Sequence, residues 1–202
     1  VATDIPCTIH CDESPEDEDL LCRGTGPWAE FLDRLGRPWR EVRQQADSGV
    51  DLLDSLGLLG PGLGLVHLTH TRPSDLNTIA HSGSTAILCP RSNLHITGAL
   101  PDVPSMLSRG IPLAIGTDSL ASVENLDPLV DAAVLAANFP QVSAHHWVQA
   151  LCEGGARLLA RPKLGSLQVG NQPGVLSIQL PNDPNPLQRL LDGTRWERYW
   201  AA

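Results

Sequence analysis

Four short apolar runs in this chain each stop abruptly at residues that can do chemistry. Residues 5–11 end at His10-Cys11-Asp12-Glu13, residues 63–68 contain His67, residues 85–89 run into Cys89-Pro90-Arg91-Ser92-Asn93, and residues 111–115 stop at Gly116-Thr117-Asp118-Ser119. Such runs, rich in small and β-branched residues and apolar on both faces, predict buried strands. Helical patterns separate them. One starts at Ser14-Pro15-Glu16-Asp17, with serine as cap, proline in the first position and acids in the first turn. Others are expected over 28–35, 50–58, 72–82, 103–109, 128–138 and 144–160, the last with a weak point at Gly154-Gly155. Strand and helix alternate four times, the pattern of a parallel sheet covered on both faces. The expected fold is therefore α/β, about four βα units, half of a TIM-type (β/α)8 barrel. An isolated half would leave two open sheet edges.

From about residue 163 the character changes. Residues 165–170 and 175–180 read as two short strands around a turn, a small β appendage, and the tail from 184 holds a helical patch with Trp196 and Trp200. This gives two expected parts, 1–162 and 163–202.

Composition excludes several function classes. With 202 residues, 42% apolar and 18% charged, the chain can bury a core. A net charge of −9 with no basic stripe argues against nucleic acid. No apolar run is long enough to cross a membrane. Five cysteines, an odd number without metal-finger spacing, fit free thiols in a reducing cytoplasm. No signal peptide is visible. The first residue is Val1, and the chain is expected to begin inside something longer.

Asp118 is the most specific candidate, because an acid at the end of a buried strand is costly unless a metal, a water or hydrogen bonds meet it. His10 ends its strand, and Glu13 follows three residues later on a loop that can return over the same pocket. Taken alone, a strand-end histidine beside a helix-flanking acid is an equal reading. His67 and His70 are three apart, which puts them on opposite faces of a strand. His67 is therefore preferred for the site and His70 assigned to the loop, with a satisfied core histidine as the alternative for His67. Pro90 fixes a turn in which Ser92 and Asn93 could bind substrate or orient a ligand, an ordinary loop being the competing view. Nothing marks Cys89 as an activated nucleophile. His81 and His95 read as structural, His145 and His146 as surface residues, and the acids at 16–19 as a solvated helix face.

Taken in order, these motifs resemble the amidohydrolase superfamily, in its branch of hydrolytic deaminases and chlorohydrolases. His10-x-x-Glu13 is similar to that branch's strand-5 signature and His67 to its strand-6 histidine. Cys89-Pro90-Arg91-Ser92-Asn93 resembles its loop after strand 7, and Gly116-Thr117-Asp118-Ser119 with Ala121-Ser122 its strand-8 motif. Gly165-Ser166-Leu167 with Gly170 is similar to the family's return to a β-sandwich domain. The resemblance runs from residue 5 to about 180. It departs in two places: no His-x-His pair exists anywhere, so strands 1–4 are absent with it, and Gln172-Pro173-Gly174-Val175 replaces the usual Ala-Asp pair.

The resemblance implies strands 5–8 of the barrel over 1–162 and a β-sandwich remnant with a tail over 163–202. It implies one divalent metal, zinc or alternatively iron, with His10 and Asp118 as ligands. Asp118 would accept a proton from water, and Glu13 would protonate a ring nitrogen and then the leaving amine. His67 would polarise the attacking oxygen, and Arg91, Ser92 and Asn93 would line the pocket. The implied function is metal-dependent hydrolytic deamination of a purine-like or other heterocyclic amine. The implied partners are that small molecule and an N-terminal half barrel, a homo-oligomer remaining open. Two ligands rarely hold zinc, so the chain alone is expected to be a weak metal binder and a poor catalyst. The alternatives are a chlorohydrolase or other amidohydrolase acting on C–N or C–Cl bonds, and a non-catalytic α/β interaction module.

Overall fold

The four apolar runs form four parallel strands in chain order. They are β1 (Cys7–Cys11), β2 (Leu63–His67), β3 (Thr85–Leu88) and β4 (Leu113–Ile115), hydrogen-bonded as β1-β2-β3-β4 in a computed structural model that describes residues 5–43, 45–194 and 196–201. Cys11 lies opposite His67, Val66 opposite Ile87, and Leu88 opposite Ile115. This register levels the carboxyl ends of the strands, so the residues that follow them share one rim.

Parallel neighbours need crossovers, and helices supply them. Between β1 and β2 come α1 (Pro15–Glu18), a π-helical turn (Asp19–Arg23), α2 (Pro27–Arg34), α3 (Trp39–Val42) and α4 (Gly49–Ser55). α5 (Pro73–Ser82) precedes β3, and α6 (Pro90–Ile96) and α7 (Val103–Ser108) precede β4. After β4 come α8 (Pro128–Asn138), α9 (Ala144–Gln149), a second π-helical turn (Ala150–Gly154), α10 (Gly155–Leu158) and α11 (Pro186–Leu190). Leu65, Leu88, Val103, Met106, Leu135 and Trp147 are fully buried in one core between the sheet and its helices. Among the described residues no helix is long and apolar enough to cross a membrane.

Three expectations need correction. The run at 5–11 is a strand but not a buried one: β1, at one edge of the sheet, is exposed along its first four residues, whereas β4, at the other edge, is covered by the segment that carries Gly154. The expected helix over 144–160 is broken into α9, the π turn and α10, and Gly154 is its point of closest packing. A Cβ at Gly154 would lie 2.0 Å from the carbonyl oxygen of Leu113, so the missing side chain lets this segment rest directly on β4. Finally, 165–170 forms no strand. β5 (Val175–Ile178) pairs antiparallel with β6 (Arg198–Ala201) from the tail. The tail is tied back by an Arg198–Asp127 ion pair, and Leu191 is buried in the main core.

A charged pair is buried beside that core. Asp131 on α8 has no exposed surface, and Nη2 of Arg91 reaches it at 2.7 Å. Burial pushes the Asp131 carboxyl above the usual range, and Arg91 opposes that push. Removing one partner of a buried pair strands the other charge, at a cost of roughly 3–5 kcal/mol. Arg91→Ala is therefore expected to lower the unfolding free energy by about that amount in urea titration, and Arg91→Met with Asp131→Leu to recover most of it. A near-neutral Arg91→Ala would contradict the pairing.

Candidate metal centre and active site

Each strand end presents its polar residues through a specific local device. Beyond β1 the chain turns at Asp12, whose φ is +49°. The backbone N–H groups of Glu13 and Ser14 then both donate to Oδ2 of Asp17, at 2.9 and 3.0 Å. Asp17 is thus more than a solvated acid, since it holds the turn that carries Glu13. Oε1 of Glu13 is buried with no hydrogen-bond partner and lies 3.5 Å from Nε2 of His67.

β2 ends in two successive left-handed residues, His67 (φ +78°) and Leu68 (φ +52°). Non-glycine residues pay for this geometry with strain. The turn separates the two histidines: His67 is 1% exposed and faces the rim, while His70 is exposed. Nδ1 of His67 is 2.7 Å from Oδ1 of Asn93. With the amide oxygen as acceptor, Nδ1 carries the proton and Nε2 keeps its lone pair for a ligand.

After β3 the expected loop is instead a helix, α6, with Pro90 in its first position. Helical periodicity sends three consecutive side chains in three directions. Ser92 donates its hydroxyl to Oδ2 of Asp118 at 2.7 Å, and Asn93 meets His67; both are fully buried. The guanidinium of Arg91 reaches Asn125, the Asp127 carbonyl and Asp131. None of the three lines the cleft directly: Ser92 and Asn93 hold the residues that do, and Arg91 holds α8. Cys89 is buried, and desolvation beside Asp118 pushes its thiol up to about 12, which leaves no thiolate near neutral pH.

After β4, Asp118 adopts φ +63°. Its Oδ2 accepts from Ser92 and, at 2.8 Å, from Ser122, a partner that sequence reasoning noted only as part of a motif. Burial pushes the Asp118 carboxyl up, but the two hydroxyls and the nearby His67 outweigh it and hold the group below the usual range. Oδ1 faces Nε2 of His10 at 3.7 Å.

These devices converge. Ligand atoms of His10, His67 and Asp118 all lie within 4.8 Å of one another, and the two imidazoles stack with centroids 5.1 Å apart. Neighbouring ligands on a tetrahedral ion with bonds of about 2.0–2.1 Å sit roughly 3.4 Å apart, close to the observed His10–Asp118 separation. Two imidazole nitrogens and a carboxylate suit zinc or ferrous iron. The residues present fit such an ion, with His67 as a third donor beside the expected His10 and Asp118. The cleft over them has a volume of about 470 Å³. Its floor is His10, Glu13, His67 and Asp118, and its apolar wall includes Leu20, Trp28, Leu52 and Leu53 from the segment between β1 and β2. That size and lining suit a small organic ligand.

Comparisons with known proteins bear on the family and the fold. An aminodeoxyfutalosine deaminase of Deinococcus radiodurans is 30% identical over 161 residues, which cover 77% of this chain and 38% of that protein. A 5-methylthioadenosine/S-adenosylhomocysteine deaminase of Teredinibacter turnerae is 32% identical over 211 residues, covering 96% and 43%. The chain thus spans about two fifths of the length of these relatives. Among solved structures, an adenosine deaminase of Xanthomonas campestris with bound zinc matches with a TM-score of 0.67 at 26% identity, over 87% of this chain and 37% of that one. Atrazine chlorohydrolase of Arthrobacter aurescens, complexed with zinc, matches with a TM-score of 0.70 at 22% identity, over 93% and 40%, a likeness of fold alone. Both likenesses identify the four-stranded sheet and its helices as part of a (β/α)8 barrel. The Amidohydrolase family model matches residues 2–194, and this chain belongs to that family.

Proposed function

We propose that this chain is the C-terminal half of a metal-dependent hydrolase that deaminates a purine-like heterocycle, with adenosine-derived thioethers as the first class to test. The observation that carries the reading is the convergence of His10, His67 and Asp118, with the unpartnered Oε1 of Glu13 3.5 Å from His67. His10, Asp118 and His67, with donors from an N-terminal half barrel, would hold zinc or iron, which would supply Lewis acidity that lowers the pKa of a water towards about 7.

The remaining chemistry belongs to the chain's own groups. Asp118 is a carboxylate at neutral pH, held at Oδ2 by two hydroxyls, and would accept the proton of the attacking water. Glu13 would give its proton to the ring nitrogen, the proton that Asp118 takes from water would pass to the departing amine, and the proton of the new hydroxyl would return to Glu13 as the carbonyl forms. Water adds at the amino-bearing carbon, the C–N bond breaks, and ammonia leaves. His67, its Nδ1–H engaged by Asn93, would present the lone pair of Nε2 to the ion in place of the polarising role expected of it. Retention of Glu13 favours deamination over dechlorination. The absence of a His-x-His pair favours the rival reading, a non-catalytic interaction module. Against that rival stand three strained strand ends and a buried carboxylate oxygen left without a partner.

The same proposal divides the chain at 162/163, with the antiparallel β5–β6 pair as the support for a β-sandwich remnant. Its free cysteines support a reducing, cytoplasmic setting.

Two measurements test this reading. In Zn²⁺ titrations of the chain, His10→Ala and Asp118→Asn are each expected to weaken binding by more than about tenfold; affinity unchanged by both variants would remove the metal centre. In the complete barrel, Glu13→Gln is expected to cut ammonia release from 5-methylthioadenosine by roughly 10²–10⁴-fold. A variant that keeps most of its turnover would defeat the proton-transfer role.

A further inference from the structure

Asp12 stands between two residues of the site and takes no part in the chemistry described above, yet it is held more tightly than either. It is 6% exposed and left-handed, and it makes no ion pair among the described residues. Burying a carboxylate without a cation is costly unless donors surround it. Here the donors are backbone groups of α4: the N–H of Gly49 at 2.6 Å and that of Val50 at 3.4 Å. The fit is close, since a Cβ on Gly49 would lie 2.7 Å from Oδ1 of Asp12 and 2.8 Å from Sγ of Cys11. The backbone carbonyl of Asp12 accepts the N–H of His70 at 2.9 Å, and that of Cys11 accepts the N–H of Leu68 at 3.1 Å. One residue therefore links three things: the β1 turn that carries His10 and Glu13, the β2 turn that carries His67, and the helix that supplies Leu52 and Leu53 to the cleft wall.

We infer that Asp12 is a positioning residue: its carboxylate, clamped to the first turn of α4, fixes His10 and Glu13 against His67. This rests on the metal-site reading above and adds to it the group that sets the site's geometry. Removing the carboxylate need not detach α4. Ser48, just before the helix, accepts from the Asp51 N–H at 3.0 Å and from Nη2 of Arg72 at 3.0 Å, and Arg72 is paired with the buried Asp75. The fold thus has an anchor independent of Asp12, and a change in the site can be separated from a loss of structure.

The test compares Asp12→Ala with Asp12→Asn, which keeps one acceptor oxygen for Gly49. Each variant is followed by Zn²⁺ competition titration, by thermal unfolding, and by NMR of the Glu13 amide and the imidazoles of His10 and His67. Partners that orient ligands are worth about 10–100-fold in metal affinity. Asp12→Ala is expected to weaken Zn²⁺ binding by at least about tenfold and to shift those resonances, while Asp12→Asn restores most of both. A folded Asp12→Ala chain with unchanged affinity and unmoved resonances overturns the inference, because a purely structural role would lower only the melting temperature. If the unaltered chain binds no Zn²⁺, the metal reading is left without support from this chain, and the resonances alone decide whether Asp12 positions these side chains. If Asp12→Ala does not fold, Gly49→Ala decides. It leaves Asp12 in place but forces the two apart, and the same weakening and shifts are expected; their absence overturns the inference.

Discussion

Left-handed backbone at the ends of three parallel strands is the constraint on which the site depends. Asp12, His67 and Asp118 all have positive φ, and none is glycine. Each such residue costs of the order of 1–3 kcal/mol, and the geometry persists only where its surroundings over-determine it. Those surroundings are visible. Backbone N–H groups of α4 hold Asp12, an amide holds His67, and two serine hydroxyls hold Asp118. The strain turns each chain sharply at the rim, so that side chains from β1, β2 and β4 point at one another instead of along the sheet.

Helix α6 acts as the bracket of this assembly. Its first turn sends Arg91 outward to α8, Ser92 to Asp118 and Asn93 to His67. Three adjacent residues thereby connect a buried ion pair, a carboxylate and an imidazole. The carboxylate is kept ionised by hydrogen bonds against the push of its own burial, and the imidazole is kept in one tautomer. Supporting contacts of this kind set where a donor points before any ligand arrives.

Much of this was readable along the chain, for a physical reason. An apolar run that stops at a histidine or at Gly-Thr-Asp marks a strand end, and the carboxyl ends of a parallel sheet share one rim, so His10, Glu13, His67 and Asp118 could be expected to meet. The left-handed turn at His67 also explains why the choice between His67 and His70 falls as it does. What was not readable depends on distant partners. Arg91 looks like a pocket residue until Asp131, forty positions later, claims it. Ser92 and Asn93 look like loop residues because their polarity hides a helix whose start is marked only by Pro90. The exposure of β1 depends on what packs against it, which no local pattern records. The partner of β5 lies in the tail rather than across a nearby turn. Gly154 reads as a helix breaker, and only the carbonyl of Leu113 beneath it gives the reason for a glycine.

The β1 edge of the described sheet and the exposed imidazole of His10 lie together, so this is the least covered side of the site. The most direct measurement of the central claim is an anomalous-difference map, at the zinc edge, from crystals of the chain grown with Zn²⁺. The account predicts a single strong peak between the side chains of His10, His67 and Asp118, with Glu13 facing it. A peak elsewhere with none at that rim, or an ion bound without His10 and Asp118, would contradict it.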